Sequence, residues 1–253
     1  MKNVPPSSSF RLHPFKPPSS FDFTMGVLPP SRYFPPAEEA DADGLLGVGG
    51  RLTTAWLLDA YRHGIFPWPI TGDDLDLLAW WSLDPRAVIE FDRFHVSRRL
   101  WRTCGGGRFS ATCDRDFAGV MHGCASAGDR EGSTWITPAI LAAYTKLHRQ
   151  GYAHSVEVWH EGQLAGGTYG VAIGGLFAAE SMFFRVRDAS KVALVHLVFH
   201  LKTRGYLLLD IQQLTPHTAR FGATEMPRAE YLARLAEALT LPVTFGDTLE
   251  ATV

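Results

Sequence analysis

Between His154 and Gln212 the chain follows a pattern that few folds accommodate. HSVEVWH alternates polar and apolar residues, Glu161-Gly162 turns, QLAGGTYGVAI alternates again, Gly174-Gly175 turns, and LFAAESMFF (176–184) forms a third run. An apolar helix follows from Ala189 to Arg204, with Asp188 or Ser190 to cap it and Gly205 to end it. YLLLDIQ is then a continuous apolar run of the kind found in buried strands. Strand, strand, strand, helix, strand predicts an α+β fold with a mixed, mostly antiparallel sheet flanked by helices. Gly166, Gly167 and Gly170 within one strand predict a bulge or a close backbone approach.

The third run carries an unexpected carboxylate, Glu180, among large apolar side chains. A strand period of two puts Ala178, Glu180 and Met182 on one face and Phe177, Ser181 and Phe183 on the other. A buried carboxyl must be neutral, paired with a cation, or placed for a cation brought by a substrate. A structural pair with an arginine and a substrate site fit this stretch equally well. LLLDIQ ends in a second carboxylate, Asp210, with Gln212 on the same face. Such groups commonly anchor a helix or a loop. A crossover from one strand to the other nevertheless brings Glu180, Asp210 and Gln212 to one edge of the sheet. Beside Phe177, Met182 and Phe183 they suit a ligand with an ammonium at one end and a bulky apolar group at the other, as in a hydrophobic α-amino acid.

The rest of the chain narrows the classes. Lys+Arg 24 against Asp+Glu 26 gives no global basic field, so a nucleic-acid partner needs a local patch. The one basic cluster is Arg86, Arg93, Arg98, Arg99, Arg102 and Arg108. Its helical part, VSRRLWR, is expected to bury Val96, Leu100 and Trp101 and present Arg98, Arg99 and Arg102 as a solvated face or a phosphate-tracking patch. Cys104, Cys113 and Cys124 match neither a zinc pair nor a disulfide framework, and read as reduced thiols in the cytosol. No C-x-x-C, H-E-x-x-H, EF-hand, G-x-S-x-G or dinucleotide-binding spacing occurs. No apolar run is long enough to span a membrane.

Pro- and Ser-rich residues 1–24 are expected to be disordered, with Met25 an alternative start, and Pro, Ser and Lys there argue against a signal peptide. Thr53 or Thr54 caps a helix carrying Trp56 to Tyr61, and the prolines of IFPWPI (65–70) predict an extended loop displaying Phe66 and Trp68. LLAWWS (77–82) reads as one short buried strand broken at Asp84-Pro85. Further helices are expected over 116–125, after Ser133 or Thr137 with Pro138, and over PRAEYLARLAEAL. The expected organisation is a tail over 1–31, a small N-terminal α/β domain over 32–81 and a larger domain over 82–253.

Several long motifs occur in one order: AYRHGIFPW, WWSLDPRAV, STWITPAILAAYTKLHRQGYAHSVEVW, GTYGVAIGGLFAAESMFF, DASKVALVHL and LLDIQQLTPHTARFGA. On these the chain resembles the leucyl/phenylalanyl-tRNA–protein transferases from about Leu45 to Leu239. The resemblance implies a C-terminal domain of the GNAT-superfamily fold and transfer of Leu or Phe, sometimes Met, from aminoacyl-tRNA to an N-terminal Arg or Lys of proteins, marking them for N-degron degradation. It implies that Glu180, Asp210 and Gln212 hold and deprotonate amino groups. Trp68, Trp135 and Tyr144, with Tyr61 nearby, are to receive the aminoacyl-adenosine end, and Phe177 and Met182 to line the side-chain pocket. Arg86, Arg98, Arg99 and Arg102 are to track acceptor-stem phosphates. No cofactor or metal is implied, and the expected state is a cytoplasmic monomer away from membranes. Ala179, Phe184 and Arg51 depart from the family pattern, the first two beside the pocket. A coenzyme A-dependent N-acyltransferase would need a Gly-rich pyrophosphate loop after the meander, where this chain has FRVRDASK. A non-catalytic tRNA- or degron-binding module is the other alternative, and the presence of both carboxylates argues against it.

Overall fold

The computed structural model describes residues 28–71, 76–126 and 134–250. The expected tail over 1–24, the alternative start at Met25 and the candidate cap Ser133 lie outside them. Strand β1 (Leu45–Val48) leads to helix α1 (Thr54–Arg62), whose cap is Thr53: its side chain accepts from the Trp56 amide. IFPWPI is not loop throughout. Phe66–Pro67 (β2) and Ile70–Thr71 (β3) are two-residue strands, placed at sheet edges where a missing proline N–H costs little. LLAWWS likewise divides into β4 (Asp76–Leu77) and β5 (Ala79–Trp81), because the Leu78 carbonyl between them accepts from the Gly49 amide instead of continuing a ladder. β4 pairs with β3, and β5 is the middle of a β1-β5-β2 sheet.

Next come β6 (Arg86–Ile89), α2 (Arg98–Gly105), β7 (Ser110–Cys113), α3 (Phe117–Ser126) and α4 (Pro138–Arg149). Thr137 caps α4, accepting from the Ile140 amide, with Pro138 in the first turn. The meander is β8 (Ala153–His160), β9 (Gln163–Ile173) and β10 (Leu176–Phe184). Helix α5 (Ala189–Arg204) ends at Gly205 in the left-handed region, and β11 (Leu208–Gln212) follows. The last elements are α6 (Pro216–Ala219), β12 (Ala223–Met226) and α7 (Arg228–Leu239).

The main sheet has the order β12-β6-β11-β10-β9-β8-β7, mixed and mostly antiparallel: β10 and β11 run parallel across the α5 crossover. β6 and β12 were not expected as strands, since RAVI and ATEM are too short to show alternation by themselves. Each face of the sheet has its own core. Leu57, Phe117, Ile140, Tyr144, Leu147 and Leu235 cover one side, and α5 with Leu100 and Phe245 covers the other. Trp101, expected inside, is 45% exposed and meets Phe199 edge-on. The eight-residue α2 turns only Leu100 and Cys104 fully inward.

The expected close approach is located at Gly170, where a Cβ would stand 2.3 Å from the Ala178 carbonyl oxygen and 2.4 Å from the Phe177 ring. The register there holds the larger surprise. Ala179 pairs with Gly170 but Ser181 pairs with Tyr169, so Glu180 is an extra residue and the alternation changes phase across it. Phe177 therefore packs on the α5 side and Phe183 against Gly123 of α3, on opposite faces rather than the shared face expected from a period of two.

Candidate active site

The crossover sets Leu176, Phe177 and Ala178 opposite Leu208, Leu209 and Asp210, so Gln212 closes β11 and Glu180 stands at the β10 bulge, both two residues past the carboxyl end of the parallel-paired segment. Such strand ends are a common place for ligands in sheets of this kind. β11 has its own irregularity: Asp210 pairs with Val88 and Gln212 with Ala87. Gln212 has φ 56°, and the Gln213 amide donates to the Ile211 carbonyl at 2.6 Å across it. Left-handed backbone is uncommon for a side chain of this size. Asp210 holds it there, with Oδ1 accepting from the Gln212 amide at 2.9 Å.

Glu180 is part-buried, with Oε2 accepting from the Tyr144 hydroxyl at 3.1 Å and Oε1 from Gln212 Nε2 at 3.3 Å. The Tyr144 hydroxyl also meets that of Tyr61 in a very short bond. Burial raises the Glu180 carboxyl to about 8, against the lowering effect of its tyrosine hydrogen bonds; Asp210 raises it further and Arg86 lowers it. At neutral pH the carboxyl is therefore mostly protonated, and an incoming ammonium favours its ionised form. Desolvation, chiefly, also drives both tyrosine hydroxyls well above their usual range, so they stay as donors.

Asp210 and Arg86 are placed differently from expectation. Arg86 is 1% exposed, and no phosphate can reach it. Its Nε and Nη2 donate to the two Asp210 oxygens at 2.9 and 2.7 Å, and its Nη1 donates to the Gly64 carbonyl at 3.0 Å. The guanidinium lies between the Phe66 and Tyr231 rings, 4.7 and 4.6 Å from their centroids. Burial alone would lower its pKa, but Asp210 carries it above the ordinary value and keeps it charged. Asp210 is fully buried and also accepts from the Tyr231 hydroxyl at 2.8 Å. Two arginine bonds, one tyrosine bond and one amide bond occupy the acceptor sites of a carboxylate. Asp210 is thus a brace behind Gln212 and is absent from the cavity wall, where a group that removes a proton from a substrate must be.

In front of Glu180 and Gln212 opens a cavity of about 900 Å³. Trp68 and Trp135, with ring centroids 6.3 Å apart, stand together in its wall with Met182. Phe177 does not line it: its ring packs into the core against Phe245 and Tyr206. Tyr61 and Tyr144 sit behind Glu180, linked to it through the Tyr144 hydroxyl. Arg98, Arg99 and Arg102 are exposed on α2, and Arg99 reaches Asp188 at 3.3 Å. Sequence reasoning missed Ser190, Thr215 and His217, which also line the cavity. It missed Tyr231 as well, although a tyrosine on a buried helix face needs a partner for its hydroxyl. Gln213 also borders a more open cavity of about 380 Å³ that Asp43, Asp84 and Glu225 line. Among the described residues no three His, Cys, Asp or Glu gather as a metal site, and no helix is long and apolar enough to cross a membrane.

The family described as Leucyl/phenylalanyl-tRNA protein transferase matches residues 88–236, and its N-terminal domain matches residues 50–84. A leucyl/phenylalanyl-tRNA–protein transferase of Magnetococcus marinus is 52% identical over 218 residues, 84% of this chain and 91% of the relative. Those of Nitratidesulfovibrio vulgaris and Aromatoleum aromaticum are 50% and 52% identical, over 84% and 80% of this chain and 90% and 85% of the relatives. The glycines of β9, the Glu180 carboxyl, the Gln212 amide and the tryptophan-walled cavity all lie within the matched residues. The chain belongs to the leucyl/phenylalanyl-tRNA protein transferase family.

Proposed function

We propose that the protein transfers leucine or phenylalanine from aminoacyl-tRNA to the N-terminal Arg or Lys of proteins, marking them for degradation. The observation that carries this reading is a carboxyl raised to about 8, hydrogen-bonded to an amide, at one end of a cavity walled by two tryptophans. An aminoacyl ester is already activated, so the site has to align an amine and take its proton. The acceptor nitrogen attacks the ester carbonyl carbon, the amide bond forms, and the bond to the ribose oxygen breaks. A proton leaves the nitrogen, and one joins the departing ribose oxygen.

Glu180 is the proton acceptor in this account. An N-terminal amine titrates near 8, which matches the Glu180 carboxyl. Gln212 Nε2 donates to Glu180, leaving the amide oxygen to accept from the incoming nitrogen. Asp210 contributes by holding Gln212 in its left-handed conformation. Trp68 and Trp135 offer stacking surfaces to the terminal adenosine, a contact worth about 1–3 kcal/mol per base. Met182 borders the space for the transferred side chain. Arg98, Arg99 and Arg102 supply exposed charge for acceptor-stem phosphates, and the carboxylates beside Gln213 favour a basic acceptor side chain. Dividing the chain at 81/82 puts Trp68 on the smaller part and Glu180 and Gln212 on the larger, so that both contribute to the cavity.

The test is transfer of labelled Phe or Leu from charged tRNA to a protein with an N-terminal Arg, with acetyl-CoA offered in a parallel reaction. Transfer from tRNA that is lost in Glu180→Ala supports the reading. A folded protein that binds tRNA without transfer, or one that acetylates instead, refutes it.

A further inference from the structure

At the lip of the cavity stands Phe184, 57% exposed and stacked on no ring among the described residues. Its exposure follows from the strand end. Phe183, one residue earlier, is 2% exposed against α3, so Phe184 points away from that core. The chain then leaves the sheet at once, with the Arg185 and Val186 amides both donating to the Ala165 carbonyl, at 2.7 and 3.1 Å. These bonds fix the backbone beside the ring, so a partner that covers it has little ordering cost to meet.

The surroundings are cationic. Arg185 and Arg187 follow the ring in sequence and are both exposed. Lys191 Nζ meets Asp188 Oδ1 at 2.7 Å, and Arg99 reaches Asp188 Oδ2 from α2 at 3.3 Å. The Asp188 carboxyl is held below its ordinary range by its bond to Lys191 and by the nearby Lys191, Arg99 and Arg187 charges. Three cations, Lys191, Arg99 and Arg187, thus surround one carboxylate, and through Arg99 they continue to Arg98 and Arg102 on α2. An exposed aromatic ring beside a track of cations is what binds single-stranded nucleic acid: bases stack on the ring and phosphates follow the charges.

We propose that Phe184 is a stacking platform for the base next to the terminal adenosine of the single-stranded RNA 3′ end, with Arg187 and Lys191 on the adjoining phosphates. This rests on the aminoacyl-tRNA reading above and adds a contact outside the cavity. The terminal nucleotide is taken by Trp68 and Trp135, Phe184 takes the next base at the lip, and the cations lead to α2. The ring fixes the path by which the strand enters, and any base can stack on it.

The probe is an RNA hairpin with a single-stranded 3′-ACCA overhang, compared with the same hairpin carrying an abasic ribose next to the terminal adenosine. Phe184→Leu keeps apolar bulk without the ring and should weaken binding of the intact overhang by about fivefold or more. It should leave the abasic hairpin unaffected, while Phe184→Trp retains wild-type affinity. Because Phe184 is exposed, thermal unfolding should be unchanged in both variants. Arg187→Ala should reduce the slope of log K against log salt by about 0.7, the value for one phosphate of a single strand. Wild-type affinity in Phe184→Leu, or an equal loss on both hairpins, overturns the proposal and leaves the transferase reading standing. A raised KM for the acceptor protein with unchanged RNA affinity overturns it in favour of an acceptor contact. A wild-type protein that binds neither hairpin nor charged tRNA overturns both.

Discussion

Replacing Asp210 with Asn tests the division of labour at the sheet end most directly. The change keeps the shape of the side chain and removes its charge, leaving the Arg86 guanidinium 1% exposed without a counter-ion. The bonds of Arg86 Nε and Nη2 at 2.9 and 2.7 Å lose their charged acceptor. Breaking a buried pair in this way costs about 3–5 kcal/mol. With a urea slope of about 2–3 kcal/mol/M, the unfolding midpoint should fall by about 1–2.5 M. Turnover should fall as well, because the Gln212 amide loses its 2.9 Å bond to a carboxylate and the left-handed backbone loses its brace. Affinity for aminoacyl-tRNA should change little, since Asp210 lies outside the cavity wall. The double variant Arg86→Met with Asp210→Leu separates the two effects. Replacing both charges by apolar groups of similar volume is often close to neutral, so stability should largely return while turnover does not. Urea unfolding followed by tryptophan fluorescence and single-turnover transfer read the two quantities. A single variant within about 1 kcal/mol of wild type, or a double variant that regains turnover, would refute the bracing role.

Glu180 gives a pH dependence of defined sign. Its folded pKa, about 8, lies above the unfolded value, so its effect favours folding at low pH and is lost as pH rises from about 4.5 through 8. Glu180→Gln should therefore gain stability relative to wild type over that interval; a parallel pair of stability curves would show that the carboxyl is not raised. If Glu180 takes the proton, transfer should rise with pH toward about 8 in wild type and lose that rise in Glu180→Gln, as measured in single-turnover profiles. Charge reversal at Arg98 and Arg99 should weaken tRNA binding and flatten its salt dependence; an unchanged slope removes α2 from the interface. Gly170→Ala should cost about 1–3 kcal/mol by overpacking against Ala178 and Phe177, read as a lowered melting temperature.

The expectations that held rest on local rules. The meander, the crossover helix and its glycine stop, and the capped α4 follow from period-two alternation, turn glycines and the Thr-Pro start, all read from adjacent residues. The pairing of Glu180 with Gln212 was legible because the two strands that carry them are joined by one crossover, although Glu180 sits at a bulge inside β10 and only Gln212 closes its strand. The short strands β6 and β12 were not, because four residues carry too little alternation and their pairing belongs to the assembled sheet. The same limit misplaced Phe183 relative to Phe177: a bulge at Glu180 depends on how β9 meets β10, and one extra residue exchanges the faces of everything beyond it.

Arg86 marks the boundary most clearly. By itself the sequence determined that it is a cation within a basic run, that Asp210 ends an apolar strand, and that Glu180 stands in apolar company. Only the tertiary structure decided that Arg86 turns inward across 124 residues of chain to neutralise Asp210, which leaves the hydrogen-bonded Glu180 and Gln212, and not Asp210, in the cavity wall. The physical reason is desolvation. A buried charge must find its partner wherever the fold delivers one, and that choice is made by packing between distant segments rather than by the spacing of neighbours.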